Sequence, residues 1–386
     1  MSAVSSAVVD DVRRRLAMSP GELTPHRVAE ALRASGAPVG DATVLAVHDL
    51  LRQDVHGAGP LEPLLRLPDV TDVLVNGPDD VWIDRGRGLE RADIRFTDDA
   101  AVRRLAQRLA ASGGRRLDDA TPHADVRLPD GTRFHAVLAP VARPGTVISL
   151  RLARQRVWRL EELVASGALP PDGSVLLAEV VAARCAFLVT GGTGSGKTSV
   201  LSALLSLVNP TERLVVVEDA SELRPDHPHV VALEARPPNI EGVGEITLRT
   251  LVRQALRMRP DRLVVGEVRG AEVVELLAAL NTGHAGGCGT LHANSAADVP
   301  ARIEALALAA GLPRDAAHSQ LGAALDVVIH LGRDADGRRR VREVAVPERD
   351  RDGFVVLRTA ATFDGDRVVR GPAVSRLATR LETPAW

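Results

Sequence analysis

Cys185-Ala186-Phe187-Leu188-Val189-Thr190 runs directly into Gly191-Gly192-Thr193-Gly194-Ser195-Gly196-Lys197-Thr198, and an apolar helical stretch from Ser199 to Leu207 follows. The first six residues read as a strand buried on both faces. The next eight satisfy G-x-x-x-x-G-K-[ST] in the strand, loop, helix context that gives this spacing its meaning. Glycines let successive backbone N–H groups turn inward around phosphate oxygens, and the helix that starts here points the positive end of its dipole at them. Lys197 is placed to reach the β and γ phosphates, and Thr198 to ligate Mg²⁺. Gly191, Gly192, Thr193, Gly194, Ser195, Gly196, Lys197, Thr198 and Ser199 are therefore the expected nucleotide-binding residues. Lys197 is also the single lysine among 48 basic residues. A strongly arginine-biased chain keeps a compact ammonium at the one position where the loop needs it.

Outward from the loop, short apolar runs alternate with helical stretches: Ala186 to Thr190, Leu214 to Val217, Leu263 to Val265 and Gly289 to Leu291. This alternation predicts an α/β fold with a mainly parallel sheet covered on both faces. Ligands of such sheets sit beyond the carboxyl ends of the strands. Two of the runs end in acids there, the first in Glu218-Asp219 and the second in Glu267. A hydrolase needs one carboxylate to orient and activate water and another to hold Mg²⁺ directly or through its waters. Either acid alone reads equally well as a helix cap or a solvated strand end; beside a phosphate loop the pair reads as catalytic. Sequence physics does not rank the two.

More landmarks follow in order: Arg253-Gln254-Ala255-Leu256-Arg257-Met258-Arg259-Pro260-Asp261-Arg262, then Val265-Gly266-Glu267-Val268-Arg269, Thr282-Gly283-His284, and Thr290-Leu291-His292-Ala293-Asn294-Ser295. Upstream stand Gly59-Pro60-Leu61-Glu62, Asp72-Val73-Leu74-Val75-Asn76-Gly77 and Leu128-Pro129-Asp130-Gly131-Thr132-Arg133. With the phosphate loop, these segments resemble the type II/IV secretion and pilus ATPase superfamily, and most closely its tight-adherence (Tad/Cpa-type) pilus branch, over about 57 to 345. In that family the pieces are called Walker A, the Asp box, Walker B and the His box. The resemblance implies a RecA-like P-loop NTPase domain preceded by a smaller α+β N-terminal domain, with ATP and Mg²⁺ as ligands. It implies that Glu218 is the catalytic glutamate, that Glu267 is the Walker B acid near Mg²⁺, and that His284 and His292 sense the γ-phosphate. It further implies that Arg133 and Arg151 are presented to the nucleotide phosphates. Members of the family act as homo-hexamers at the cytoplasmic face of the plasma membrane, where they drive pilus assembly or secretion through an inner-membrane platform protein. The type II secretion branch commonly carries a four-cysteine zinc module, which Cys185 and Cys288 cannot build.

On this reading residues 1–56 form a helical appendage, with apolar spacing through Val28, Ala31 and Leu32 and again through Val44, Val47 and Leu51. Residues 57–153 form the α+β domain, where runs such as Val70 to Val75 and Val81 to Asp84 meet the turn signals Asn76-Gly77-Pro78 and Gly86-Arg87-Gly88. Residues 154–171 are the linker, 172–345 the ATPase domain and 346–386 a strand-rich tail. Hairpin signals stand at Asp336-Gly337 and Asp352-Gly353.

Arg249, Arg253 and Arg257 recur at a spacing of four, as a salt-bridged helix face or a subunit contact would. A Cys/His metal site from His284, Cys288 and His292 is disfavoured, because one short loop supplies few ligands. At 386 residues the chain is long enough for two cores, and 45% hydrophobic with 25% charged residues is an ordinary globular composition. Two cysteines fit a reducing compartment. Charged residues at the N-terminus and the lack of about 18 consecutive apolar residues leave any membrane contact peripheral.

The enzyme-class rival is a RecA-like DNA or RNA translocase. A net charge of -2 and 2% aromatic content without tyrosine leave it poor in phosphate-binding charge and stacking platforms, so no nucleic acid partner is expected. From a different class, a nucleotide-gated assembly switch with slow turnover would use the same loop.

Overall fold

The structure, a computed structural model, describes residues 8, 11–12, 15–16, 24–36, 39–86, 88–152, 157–239, 241–334, 337–365 and 367–382. Most of the first 23 residues, positions 154–156 of the expected linker, and Arg87 and Asp336 of two turn signals lie outside the described residues, as does the side chain of Leu51. The chain divides into two units, Met1–Arg154 and Gln155–Trp386. Among the described residues no helix is long and apolar enough to cross a membrane.

In the first unit, α1 (Pro25–Ala34) starts at Thr24, whose hydroxyl accepts from the Arg27 N–H, and α2 (Asp41–His56) follows. Apolar residues three and four apart share a helix face. Val28, Ala31 and Leu32 accordingly bury themselves with Val44 and Val47 in a cluster of their own. Beyond α3 (Glu62–Leu65) come β1 (Asp72–Val75), β2 (Val81–Asp84), β3 (Leu89–Arg91), α4 (Asp99–Ser112), β4 (His123–Arg127), β5 (Arg133–Val137) and β6 (Val147–Arg151). The six strands pair antiparallel in the order β3-β2-β1-β6-β5-β4. Alternate residues such as Val73 and Val75 are buried, and α4 adds Val102, Leu105, Ala106 and Leu109 to the same core.

The second unit runs α5 (Leu160–Ala165), α6 (Pro171–Ala182), β7 (Phe187–Gly191), α7 (Lys197–Leu205), β8 (Leu214–Glu218), β9 (Val230–Glu234), α8 (Leu248–Ala255), β10 (Arg262–Val268), α9 (Glu272–Leu280) and β11 (Cys288–Leu291). It continues with α10 (Val299–Ala309), α11 (Arg314–Ala324), β12 (Val327–Arg333), β13 (Arg339–Arg349), β14 (Val355–Asp364), β15 (Arg367–Arg370) and α12 (Val374–Leu381). One nine-stranded sheet takes the order β15-β14-β13-β12-β7-β11-β10-β8-β9. From β12 to β9 neighbouring strands are parallel, while β13, β14 and β15 extend the sheet antiparallel. The α/β class with a mainly parallel sheet is therefore as the apolar runs predicted.

Both faces of the parallel strands are covered, so successive residues enter two cores. Phe187, Val189, Leu214 and Val216 pack with residues of α5, α6, α7 and α12, while Leu188, Val215, Val217 and Val265 pack with α8, α9, α10 and α11. Two segments expected to stand apart do not. Leu160 and Leu163, within the expected linker, are buried in the first of these cores because α5 has an apolar side to hide. The expected division at 345/346 falls inside β13, and β14 and β15 continue the main sheet rather than forming a separate tail.

Candidate active site

β7, β8, β10 and β11 are parallel, so the residues that follow them emerge at one edge of the sheet. The loop after β7 is bounded by two glycines that sterics require. Gly191 has φ +150°, and a Cβ there would stand 2.6 Å from the Leu331 carbonyl oxygen; Gly196 starts α7 at φ +98°, a left-handed value that side chains resist. Gly192, Thr193 and Gly194 are exposed at the rim, and Thr198 and Ser199 sit half-buried in the first turn of α7. That turn has backbone N–H groups without intrahelical acceptors, which suits a phosphate. The Ser195 hydroxyl is buried and has no hydrogen-bond partner.

Lys197 is 7% exposed, and its Nζ donates to the Gly191 and Gly192 carbonyls, each at 3.0 Å. It also lies 3.3 Å from His292 Nδ1. Burial draws the ammonium pKa below its usual value, against the opposing pull of the Glu267 carboxylate. His292 follows β11 directly, and burial, aided by the Lys197 charge, lowers its pKa, so the neutral ring prevails at pH 7. The tautomer protonated on Nε2 leaves Nδ1 to accept from Lys197. Nε2 stands 2.5 Å from Glu267 Oε1, but the approach misses hydrogen-bond direction and Oε1 is left without a hydrogen-bond partner. Glu267 Oε2 pairs with Arg269, whose other nitrogen lies 3.8 Å from Asp219.

Glu218, the last residue of β8, is 4% exposed. Its Oε1 accepts from the N–H groups of Glu222 at 3.1 Å and Leu223 at 3.0 Å, and its Oε2 is buried with no partner. Burial outweighs those two hydrogen bonds and pushes its pKa up to about 7. The space beside it is made by a missing side chain: a Cβ on Gly266 would stand 2.4 Å from Glu218 Cγ.

The structure thus gathers the loop, Lys197, Glu267 and His292 by direct contact, with Glu218 against β10 one residue from Glu267. His284 is not gathered. It precedes β11, at the opposite end of that strand, and its Nδ1 faces the Ala279 carbonyl at 3.2 Å. The neighbouring Ala285 carbonyl meets Arg184, and Gly286 lies against Arg262, at the amino ends of β7 and β10. The expectation that His284 senses the γ-phosphate therefore has no geometric basis within this chain. Cys288 is wholly buried in β11, and burial pushes its thiol up to about 12. Among the described residues no group of three or more His, Cys, Asp or Glu side chains could hold a metal. Of the residues expected to hold Mg²⁺, Thr198 lies in the first turn of α7 and Glu267 next to the last residue of β10.

Arg133 and Arg151 belong to the N-terminal unit, where they stand opposite each other across the β5–β6 pair. Arg151 Nε donates to Asp72 Oδ1 at 2.9 Å, and Arg133 lies 3.7 Å from Asp125. Arg249 and Arg253 both bond Glu275 Oε1 of α9, each at 2.7 Å, so two members of that arginine face are salt-bridged within the chain. Gly266, His330 and Arg333 also border the site, without a role expected from the sequence. Gly266 and Glu267 are adjacent and could have been read together; His330 and Arg333 are about 140 residues from the loop they touch, and no local pattern links them to it.

Known proteins resemble this chain in sequence and in fold. A family profile described as Type II/IV secretion system protein matches residues 54–362. A Mycobacterium tuberculosis protein provisionally named as a conjugal transfer protein is 59% identical over 314 residues, 80% of this chain and 89% of that protein. The type IV secretion system protein PtlH of Bordetella pertussis is 32% identical over 320 residues, 75% of this chain and 93% of that one. Among solved structures, the ATPase DotB of Legionella pneumophila matches at TM-score 0.52 and 20% identity, covering 77% of this chain and 80% of that one, a likeness of fold.

Proposed function

From the premise that this chain belongs to the type II/IV secretion system protein family, as the match over residues 54–362 shows, we propose that it is a Mg²⁺-dependent ATPase. It works as a homo-hexameric motor that powers pilus assembly or secretion from the cytoplasmic face of the membrane, through an inner-membrane platform protein. The observation that carries this reading is the convergence of Lys197, His292 and Glu267 on the loop after β7, with Glu218 buried beside Gly266. Gly191 to Ser199 cradle the polyphosphate, and Lys197 leaves the Gly191 and Gly192 carbonyls for phosphate oxygens. Mg²⁺, held near Thr198 and Glu267, would neutralise charge on the β and γ phosphates. Glu218 in its carboxylate form accepts a proton from the attacking water, for which a pKa near neutrality is well matched. His292, neutral and linked to both Lys197 and Glu267, reports whether the loop is filled. Placement beside the tight-adherence branch rests on the segments quoted above and on the two cysteines, too few for a zinc module.

The test is ATP turnover by the purified chain, with and without Mg²⁺, against Lys197→Ala. Mg²⁺-dependent turnover that falls about 100-fold or more in the variant supports the reading. Turnover indifferent to Mg²⁺ or to Lys197 sinks it, and strong stimulation by single-stranded DNA would favour a translocase.

A further inference from the structure

Strand β12 and the start of β13 face the phosphate loop along its length. β12 runs beside β7, with His330 opposite Thr190 and Leu331 opposite Gly191. The buried His330 ring meets the Thr190 hydroxyl at 3.0 Å. The Leu331 carbonyl lies so near Gly191 that no side chain fits between them. Two residues later Arg333 Nη2 donates to the Gly194 carbonyl at 2.9 Å, at the apex of the loop. At the loop's exit, Arg339 Cδ would be 3.7 Å from a Cβ on Gly196.

Resting on the nucleotide-binding reading, we propose that Arg333 is a positioning residue for the polyphosphate of a nucleoside di- or triphosphate. A trans peptide points its C=O and the following N–H in opposite directions. With the Gly194 carbonyl held outward by Arg333, the Ser195 N–H faces across the loop. There it meets the Gly192 carbonyl at 3.3 Å, a long hydrogen bond that a phosphate oxygen can displace. The guanidinium also places a permanent positive charge beside the bound anion, and its several donors let it hold the carbonyl in a fixed orientation. The hold on the loop is the same in ground and transition states, so its loss weakens binding more than turnover.

Four proteins are compared: wild type, Arg333→Gln, Arg333→Lys and, as control, Arg367→Gln on the exposed strand β15. Dissociation constants for ADP, steady-state kinetics with Mg-ATP, and amide exchange of residues 192–196 without nucleotide are measured. Arg333→Gln is expected to raise the ADP dissociation constant and the KM for ATP about tenfold, as loss of a charge-assisted hydrogen bond does, with kcat within about twofold. The loop amides should exchange faster while Tm stays put, and Arg333→Lys should recover most of the affinity. Loop exchange and ADP affinity equal to wild type in Arg333→Gln would overturn the proposal, as would a lysine variant no better than the glutamine one. If the wild type binds no nucleotide, the proposed function fails, whereas loop exchange still decides what Arg333 does.

Discussion

A carboxyl group packed against a backbone, with one oxygen held by two N–H groups and the other without a partner, favours its neutral form; Glu218 titrates near 7 for that reason. The folded state binds a proton here more tightly than the unfolded chain does. Its contribution to stability therefore falls as pH rises from about 4.5 to about 7, and stays at its lowest above that. The shift corresponds to up to about 3 kcal/mol. Glu218→Gln removes the charge and keeps the shape, so the variant should melt higher than wild type at pH 8 and differ little at pH 5, which calorimetry at the two values checks. The same substitution should leave ADP binding intact and abolish turnover. In the wild type, kcat/KM for ATP should rise with pH through an apparent pKa near 7, since only the carboxylate takes a proton from water. A profile flat from pH 6 to 8 would remove Glu218 from that role. Glu267→Gln supplies the contrast: if it alone abolishes turnover while Glu218→Gln does not, the two assignments exchange.

At the scale of the element, the site depends on strands that approach more closely than side chains allow. Gly266 sits in β10 beside Glu218, and Gly289 sits in β11, where a Cβ would stand 2.5 Å from the Val265 carbonyl oxygen. Gly266→Ala should push Glu218 off its two N–H donors and lower kcat about 100-fold with ADP affinity unchanged, as misplacement by about 1 Å does. Gly289→Ala should instead lower Tm, because the clash is with backbone in the ladder. Period and position explain what the sequence made legible. β7, β8, β10 and β11 read as strands since apolar residues fill both faces, and the loop, Glu218, Glu267 and His292 could be assigned to their ends. β9 was harder to see because Val230 to Glu234 is only half covered. His284 and His292 lie in one motif, yet β11 runs between them, and four strand residues span about 13 Å. The hairpin signals near β13 announced strands but not their partner, because pairing β12 with β7 is a contact between residues 140 apart.

For the whole molecule, the question is where the positive charge that stabilises the transferring phosphoryl group comes from. In the C-terminal unit Arg269 is paired with Glu267, Arg249 and Arg253 are bound to Glu275, and Arg333 faces the loop's carbonyl side. In the N-terminal unit Arg127, Arg133 and Arg151 stand on neighbouring strands, with Arg151 bonded to Asp72 and Arg133 beside Asp125. If Arg133 and Arg151 meet the nucleotide phosphates, as the family resemblance implies, Arg133→Ala and Arg151→Ala lower kcat by about 10³-fold, within the range for a lost arginine finger, while ADP still binds. Light scattering should report a hexamer favoured by Mg²⁺ and a non-hydrolysable ATP analogue. Mixing then decides how the units cooperate. Lys197→Ala keeps its arginines and loses its loop; Arg151→Ala keeps its loop and loses an arginine. If one subunit's N-terminal unit serves the loop of another, the mixture of these two inactive proteins regains turnover as mixed hexamers form. If each subunit serves its own loop, every site in the mixture lacks one part and no activity returns, which would place the arginine and the loop of each site in one subunit.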